Sequence, residues 1–149
     1  MSDNMTIKLI STQIPEYFEL IKFATTTADE VDEKDLQPYL NELLHSLLSD
    51  KAQCWFSLDK DRNIKSVLLT RILMDKITTR KQLFIQTFYP FQMVSMDFFK
   101  ELNSLLLEFA KKEQCQEITF DSPDEEIWKI AKSFGYQERN KGFIFKLER

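Results

Sequence analysis

Four segments of the chain repeat their apolar residues with the spacing of an amphipathic helix. The first begins near Pro15, which suits the first turn of a helix, and the second follows Asp35, its predicted N-cap. The third begins after Ser95-Met96-Asp97, and the fourth has Ser122 as its predicted N-cap. Between the first two helices, the polar and acidic stretch from Thr25 to Asp35 is predicted to be a loop.

Seven shorter segments have the alternation or the short apolar run that is typical of β-strands. The fourth ends at Tyr89-Pro90, because proline cannot donate a hydrogen bond to a neighbouring strand. Gly135 lies where a glycine commonly follows a helix C-terminus. The predicted strands cover residues 7–9, 54–58, 64–74, 83–88, 117–120, 136–139 and 143–147. The order β-α-α-β-β-β-α-β-α-β-β predicts one α/β (α+β) domain over residues 1–149, with four helices and about seven strands.

Composition narrows the class of protein. The chain has 149 residues, of which 43% are hydrophobic and 13% aromatic, so it can fill a core and is not generally disordered. Its net charge of -4 disfavours a nucleic-acid partner, and no apolar run approaches the roughly 20 residues of a membrane span. A single His argues against a metal site. Cys54 and Cys115 are predicted to be free thiols, so we expect a soluble protein in the reducing cytoplasm.

The scarcity of glycine is the most informative feature of the composition. The chain has only Gly135 and Gly142. A phosphate-binding loop brings backbone N–H groups close to its ligand, and glycine permits that approach. Neither a Walker loop nor a dinucleotide-binding fingerprint can be written with glycines at these two positions alone.

The order of the eleven elements, over essentially the whole chain, resembles the GNAT superfamily of N-acetyltransferases. Residues 127–136 resemble the late helix of that family, which commonly ends in a Gly-aromatic pair, here Gly135-Tyr136. Phe88-Tyr89-Pro90 and the helix after it resemble the fourth strand, its exit and the following helix. The resemblance implies a mixed, mostly antiparallel sheet with a V-shaped gap between its fourth and fifth strands, into which acetyl-CoA inserts.

The turn that holds the pyrophosphate of acetyl-CoA in that family departs from its pattern here. Working members carry Arg or Gln, two residues, Gly, one residue, then Gly or Ala. Aligned on Pro90, the Arg position is Met93, and the glycine positions of the commonest version are Val94, Met96 and Phe98. We therefore expect no acetyl-CoA site and no other cofactor. The loop predicted to be degenerate comprises Gln92, Met93, Val94, Ser95 and Met96.

The catalytic positions of the family differ as well. Ala131 occupies the place of a tyrosine that protonates the departing thiolate, and Asp124 the place of an asparagine. Gln86 lies where a glutamate general base often stands, and an amide cannot serve as that base. We therefore predict no catalytic residue. A His45–Cys54 dyad is a conceivable nucleophile, but an exposed helical histidine is the simpler interpretation.

The turn after the fourth strand is unusually apolar for a connection. Phe91, Met93 and Met96 are predicted either to plug the empty cofactor gap or to form a contact patch for another chain, which includes self-association. An open gap is not expected.

Three functions follow as hypotheses. The first is a non-catalytic binding, structural or assembly module, a role that includes components of complexes or virions. The alternative is a divergent N-acetyltransferase that holds acetyl-CoA through the backbone of Gln92 to Met96 and acetylates an amine. A third and weaker hypothesis is a regulatory partner of another enzyme.

Overall fold

The computed structural model describes residues 5–139 and 143–147. The helices are α1 (Ile14–Ala28), α2 (Leu36–Leu48), α3 (Met96–Lys112) and α4 (Glu125–Ser133). The strands are β1 (Met5–Lys8), β2 (Ala52–Leu58), β3 (Ile64–Met74), β4 (Lys81–Pro90) and β5 (Glu117–Phe120). Short 3-10 turns at Ser11–Gln13 and Glu33–Asp35 lead into α1 and α2. The predicted order is therefore confirmed from β1 to α4.

The strands form one mixed sheet in the order β1-β2-β3-β4-β5. The first four pair antiparallel with their neighbours, and β5 pairs parallel with β4. Parallel pairing requires a crossover, which α3 supplies. The α/β class and the mixed, mostly antiparallel sheet are confirmed.

Helices cover both faces of the sheet. Side chains on successive strand residues point to opposite faces, so one strand contributes to the core on each side. Along β2, Cys54 and Phe56 are buried against α1 and α2, whereas Trp55 between them is buried with α3. Trp55 forms an edge-to-face contact with Phe109 at a centroid distance of 5.1 Å, and its indole N–H donates to Thr70. All seven residues of β2 are buried, which makes it a central strand.

The predicted loop from Thr25 to Asp35 is wrong at its beginning. Helix α1 continues through Ala28, and Thr25 is fully buried within it. The hydroxyls of Thr25 and Thr26 both donate to the Lys22 carbonyl, so these polar side chains find partners inside the helix. The polar residues at the end of α1 therefore do not end the helix.

The predicted N-cap of the fourth helix is also displaced. Helix α4 begins at Glu125, and its N-cap is Asp124, which accepts a hydrogen bond from the Glu126 N–H at 2.9 Å. The Ser122 hydroxyl instead accepts from the Asp124 N–H, which forms a turn before the helix. The helix end agrees with prediction: Gly135 has φ +95°, and the Gly135 and Tyr136 N–H groups bond back to Lys132 and Ala131 as in a Schellman motif.

The two last predicted strands are absent from the described residues. Residues 136–139 follow the Gly135 turn without a ladder partner, and the Tyr136 hydroxyl donates to Asn103 at 2.8 Å. Residues 143–147 belong to no helix or strand, and Phe143 is 98% exposed. The described sheet has five strands and not seven, because an alternating sequence forms a strand only where a ladder partner is available.

Candidate functional site: the cleft between β4 and β5

A cleft opens where the two parallel strands separate. Ladder pairing between β4 and β5 ends at Ile85 and Phe120 in the described part of the chain. Beyond this point lies a cavity of about 450 Å³. Its walls come from the C-terminal half of β4, the residues after β5, one face of α3, the inner face of α4 and the end of α1.

Strand β4 has a bulge beside this cavity. Leu69 pairs with Thr87 and Thr70 pairs with Ile85, so Gln86 is the extra residue on β4. A bulge bends its strand and changes the direction of nearby side chains. Gln86 and Thr87 both line the cavity.

Asp29, at the end of α1, is the centre of a polar network at the end of the cleft. The network includes Gln86 and Thr87, at the bulge of β4. The Asp29 side chain accepts hydrogen bonds from the Tyr39 hydroxyl at 2.6 Å, the Thr87 hydroxyl at 2.8 Å and the Gln86 amide at 3.1 Å. Asp29 is half-buried and lines the cavity. Three donors from α2 and β4 thus fix the carboxylate in one position. Burial, and after it the hydrogen bond to Asp29, raise the pKa of Tyr39, so this phenol is a donor at neutral pH.

The backbone around Asp29 is unusual for a carboxylate. Asp29 is the C-cap of α1, where the helix dipole is negative and an acid is electrostatically disfavoured. The next residue, Glu30, has φ +51°, a left-handed conformation that costs a residue with a side chain on the order of 1 kcal/mol. The chain thus places an acid against the negative end of a helix at the edge of a cavity.

Arg71 orders the other side of the network. Its Nε donates to the side-chain oxygen of Gln86, Oε1. This bond orients the side-chain amide so that its Nε2 donates to Asp29. The two terminal nitrogens of Arg71 donate to Glu42 at 2.9 and 2.7 Å. This bidentate pair lowers the pKa of Glu42. The charge of Arg71 is therefore balanced by Glu42, and Asp29 forms no ion pair within the described residues.

Side chains at the start of α3 interact with the N-terminus of that helix. The Ser95 hydroxyl accepts from the Phe98 N–H at 3.1 Å, and Asp97 adds a negative charge in the first turn. Free N–H groups at a helix N-terminus are what would attract a phosphate. Of the predicted degenerate loop, Met93 is 97% exposed, whereas Val94 packs into the core under α3.

The apolar turn does not plug the cleft. Phe91, Met93 and Met96 are 40%, 97% and 45% exposed, and none of them lines the cavity. Phe91 packs edge-on against Tyr89 at 5.2 Å, and Tyr89 packs against the exposed ring of Phe23 at 5.8 Å. The plugging alternative is therefore wrong for these side chains. The contact patch stays a prediction.

The remaining candidates are placed as follows. Cys54 is 1% exposed and burial raises its pKa, so it is not a thiolate nucleophile, and His45 is exposed on α2. Ala131 lines the cleft as the family alignment implies, and Asp124 lines it while capping α4. Tyr136 also lines the cleft, where burial raises the pKa of its hydroxyl.

The sequence pattern did not indicate Asp29 or its partners Tyr39 and Thr87, and it singled out Gln86 only as an amide at the position of a general base. Asp29 and Tyr39 are ten residues apart, and Thr87 is a further 48 residues along the chain, so no local spacing links them. The one available signal was an acid in the predicted loop before the second helix, and the sequence offered four other acids in that loop.

Solved acetyltransferase structures superpose on this chain over nearly its full length. A predicted acetyltransferase from Clostridium acetobutylicum, solved with acetyl-CoA, gives a TM-score of 0.73 at 11% identity and covers 96% of each chain. An aminoglycoside N-acetyltransferase in complex with CoA gives 0.70 at 14% identity and covers 100% of this chain and 97% of that one. A ribosomal-protein-alanine N-acetyltransferase from Brucella melitensis biovar Abortus 2308 gives 0.68 at 14% identity, with 97% and 99% covered. The chain has the GNAT fold.

The structural superposition establishes the fold, and at identities of 11–14% it leaves the activity open. No protein-family model matches the chain, and no curated protein matches it. Across the described residues, no helix has the length and apolar character that a membrane crossing requires. The same residues contain no group of three or more His, Cys, Asp or Glu side chains that could hold a metal ion.

Proposed function

We propose that this chain is a non-catalytic binding module built on the GNAT fold, and that its cleft does not take acetyl-CoA. The observation that carries the proposal is the start of α3. Ser95 caps the helix, Asp97 adds a negative charge to its first turn, and no glycine precedes Gly135 in the chain. A pyrophosphate would have to displace the Ser95 cap and approach the Asp97 carboxylate at close range.

The charge of the cleft supports the same proposal. Its lining includes Asp29, Asp121 and Asp124, and no lysine, arginine or histidine of the described chain joins them. Acetyl-CoA carries several phosphate charges, and a site that binds phosphates usually provides Arg or Lys to balance them.

The test is calorimetric titration with acetyl-CoA and with CoA, together with thermal melting in their presence. We expect no heat and no rise in Tm at about millimolar ligand, because a ligand that binds the folded state must stabilise it. Binding with a Kd of about 1 μM, equivalent to about 8 kcal/mol, would overturn the proposal.

A loop variant tests the stated reason. Met93→Arg, Val94→Gly and Met96→Gly together restore the residue types that the family carries, and Asp97→Asn removes the charge. If this variant keeps the parent's melting curve and gains acetyl-CoA binding, the α3 start is the cause. If it folds and still fails to bind, the cleft charge becomes the stronger reason.

The alternative is a divergent N-acetyltransferase, and one observation favours it. The cleft is open in the described part of the chain, with the Asp29 carboxylate held beside the β4 bulge at Gln86. A carboxylate fixed in this way could accept a proton from an ammonium group before acyl transfer. Release of CoA thiol with a panel of primary amines, lost in Asp29→Asn, would establish it.

We further propose a protein partner or self-association at the apolar turn. The side chains of Phe91, Met93 and Met96 are exposed, and the Phe91 ring packs on Tyr89, which packs in turn on the exposed ring of Phe23. Such a patch is more apolar than a solvated turn requires. The expected cytoplasmic location stays a prediction, as does a place in a virion or other complex.

A further inference from the structure

The segment of residues 143–147 presents a run of large apolar side chains to solvent. Phe143, Ile144, Phe145 and Leu147 are 98%, 82%, 88% and 84% exposed. Single exposed apolar residues are ordinary, but a contiguous group marks a surface that another part of a protein covers. The segment also has the alternating pattern of a strand, and it has no ladder partner among the described residues.

The cleft contains a strand edge that lacks a partner. Ladder pairing of β4 with β5 ends at Ile85. At the far end of β4, the Phe91 N–H donates to the Lys65 carbonyl at 2.8 Å, which continues the ladder with β3. Antiparallel strands are bonded at every second pair, so Tyr89 also directs its backbone groups to β3, whereas Phe88 directs its N–H and C=O into the gap. Within the described residues, no strand lies beside Phe88 on that side.

The walls of the gap suit the side chains of the segment. The cavity of about 450 Å³ is lined by apolar side chains of α3 and α4, among them Leu102 and Ile127. A strand in the gap would direct Phe143 and Phe145 to one face, because alternate side chains point the same way. Burial of two phenylalanine rings that are now in water would favour this arrangement.

The chain holds the start of this segment near the mouth of the cleft. Arg139 donates to Asp121 at 3.1 Å, and Asp121 lines the cavity. Four chain steps separate residue 139 from residue 143, and they span at most about 14 Å. A segment tethered over so short a distance has an effective concentration on the order of millimolar at its own cleft. It therefore reaches that cleft in preference to the cleft of a second copy.

We propose that residues 143–147 close the cleft by inserting between β4 and β5 as an added strand, with backbone bonds to Phe88 and both phenylalanine rings in the cavity. The described conformation is the open state of this two-state equilibrium. The inference deepens the proposed function and rests on it in one respect, that acetyl-CoA does not fill the gap. The outer edge of β5 is the competing partner, but the apolar cavity lies on the gap side.

The experiment is amide hydrogen exchange of the full chain, followed by NMR. We expect the Phe88 N–H to exchange at least about tenfold more slowly in the parent than in the double variant Phe143→Ser/Phe145→Ser. The Tyr89 N–H is the internal control, since its bond to β3 is the same in both states. Met74→Ser with Ile77→Ser is the matched control, because these exposed apolar residues lie at the turn between β3 and β4, and both rates should stay unchanged.

Three results would overturn the proposal. The first is equally fast exchange of Phe88 in the parent and in the double variant. The second is protection of β5 amides in place of Phe88, which would put the segment on the outer edge of the sheet. The third is protection of Phe88 that appears only as protein concentration rises, which would assign the segment to a second copy. If the double variant does not fold, nuclear Overhauser contacts between the Phe145 ring and the Ile127 methyl groups of the parent decide: their presence supports the closed cleft and their absence refutes it.

Acetyl-CoA titrations of the parent and the double variant separate this proposal from the proposed function. If Phe88 is protected and acetyl-CoA binds neither protein, both proposals stand. If Phe88 is protected and acetyl-CoA binds either protein at micromolar concentration, the closed cleft stands and the proposed function fails. If Phe88 is unprotected in both proteins, the closed cleft is refuted, and the absence of acetyl-CoA binding would still support the proposed function.

Discussion

The two regions that meet at the cleft are packed very differently. The first region, residues 5–112, holds every residue of the two core clusters that is fully buried. The outer region comprises residues 117–139 and 143–147, and its helix α4 has no fully buried residue. The outer region also exposes Phe143, Phe145 and Leu147 by 84% or more.

The difference shows how the cleft is built. One wall is a strand anchored in the core, since Leu83 of β4 is fully buried and Thr87 nearly so. The opposite wall is α4, held by a Schellman cap, by half-buried contacts and by single bonds such as Tyr136 to Asn103. Regions with few buried contacts open first, so a ligand in the cleft should stabilise the outer region most.

The largest effect should come from the anchored wall. Leu83→Asp places a carboxylate without a partner between the sheet and α3, and it should destabilise the protein by several kcal/mol, enough to unfold it. Circular dichroism and denaturant titration measure this. Ile77→Asp is the control, because Ile77 is 93% exposed and its replacement should change stability by less than about 0.5 kcal/mol. A folded Leu83→Asp protein would contradict the described core.

The second prediction compares the two walls directly. Leu106 of α3 is 2% exposed, so Leu106→Ala should cost about 2–5 kcal/mol. Ile130 of α4 is half-buried, so Ile130→Ala should cost less than half as much. Amide exchange should also be faster in α4 than in α3. Equal costs for the two substitutions would mean that α4 belongs to the core.

The same contrast explains what could be predicted from the sequence. The first nine elements were predictable because each has strong periodicity and a partner adjacent in the sheet or core, as α3 has through Phe98 and Leu102. The predicted strands over residues 136–139 and 143–147 have the alternating pattern, but neither has a ladder partner among the described residues. Periodicity reports the face that a segment can bury, and tertiary pairing decides whether it does so.

The candidate site was less predictable than the fold. The loss of the family's glycines and catalytic residues is visible in the sequence, since it concerns identities at aligned positions. The Asp29 network depends instead on a β4 bulge and on the end of α1, which lies four residues later than Ala24, where the predicted apolar face ends. Neither feature has a local sequence signature, and both are set by packing of the sheet.

A third and smaller effect concerns the apolar turn. Phe91→Ser with Met93→Ser should cost about 0.5–1.5 kcal/mol, chiefly through loss of the Phe91–Tyr89 ring contact. If the turn is a contact patch, the double variant should also shift the protein toward monomer in sedimentation at high concentration. Met74→Ser, at a 62% exposed position on the far end of β3, is the control. An unchanged association state would refute the patch.

The smallest predicted effect concerns the ion pair between Arg71 and Glu42. The hydrogen-bonded pair with Arg71 lowers the pKa of Glu42 below its ordinary value, so the contribution of the pair to stability is present above that ordinary pKa and is lost as the pH falls through the lowered pKa. The Glu42 side chain is 58% exposed, and solvent screening limits the contribution to about 0.2–1 kcal/mol. Glu42→Gln should therefore lower the free energy of unfolding by that amount at pH 7, and the difference should shrink as the pH falls through the lowered pKa of Glu42. Glu19→Gln, on the exposed face of α1, should show no such difference.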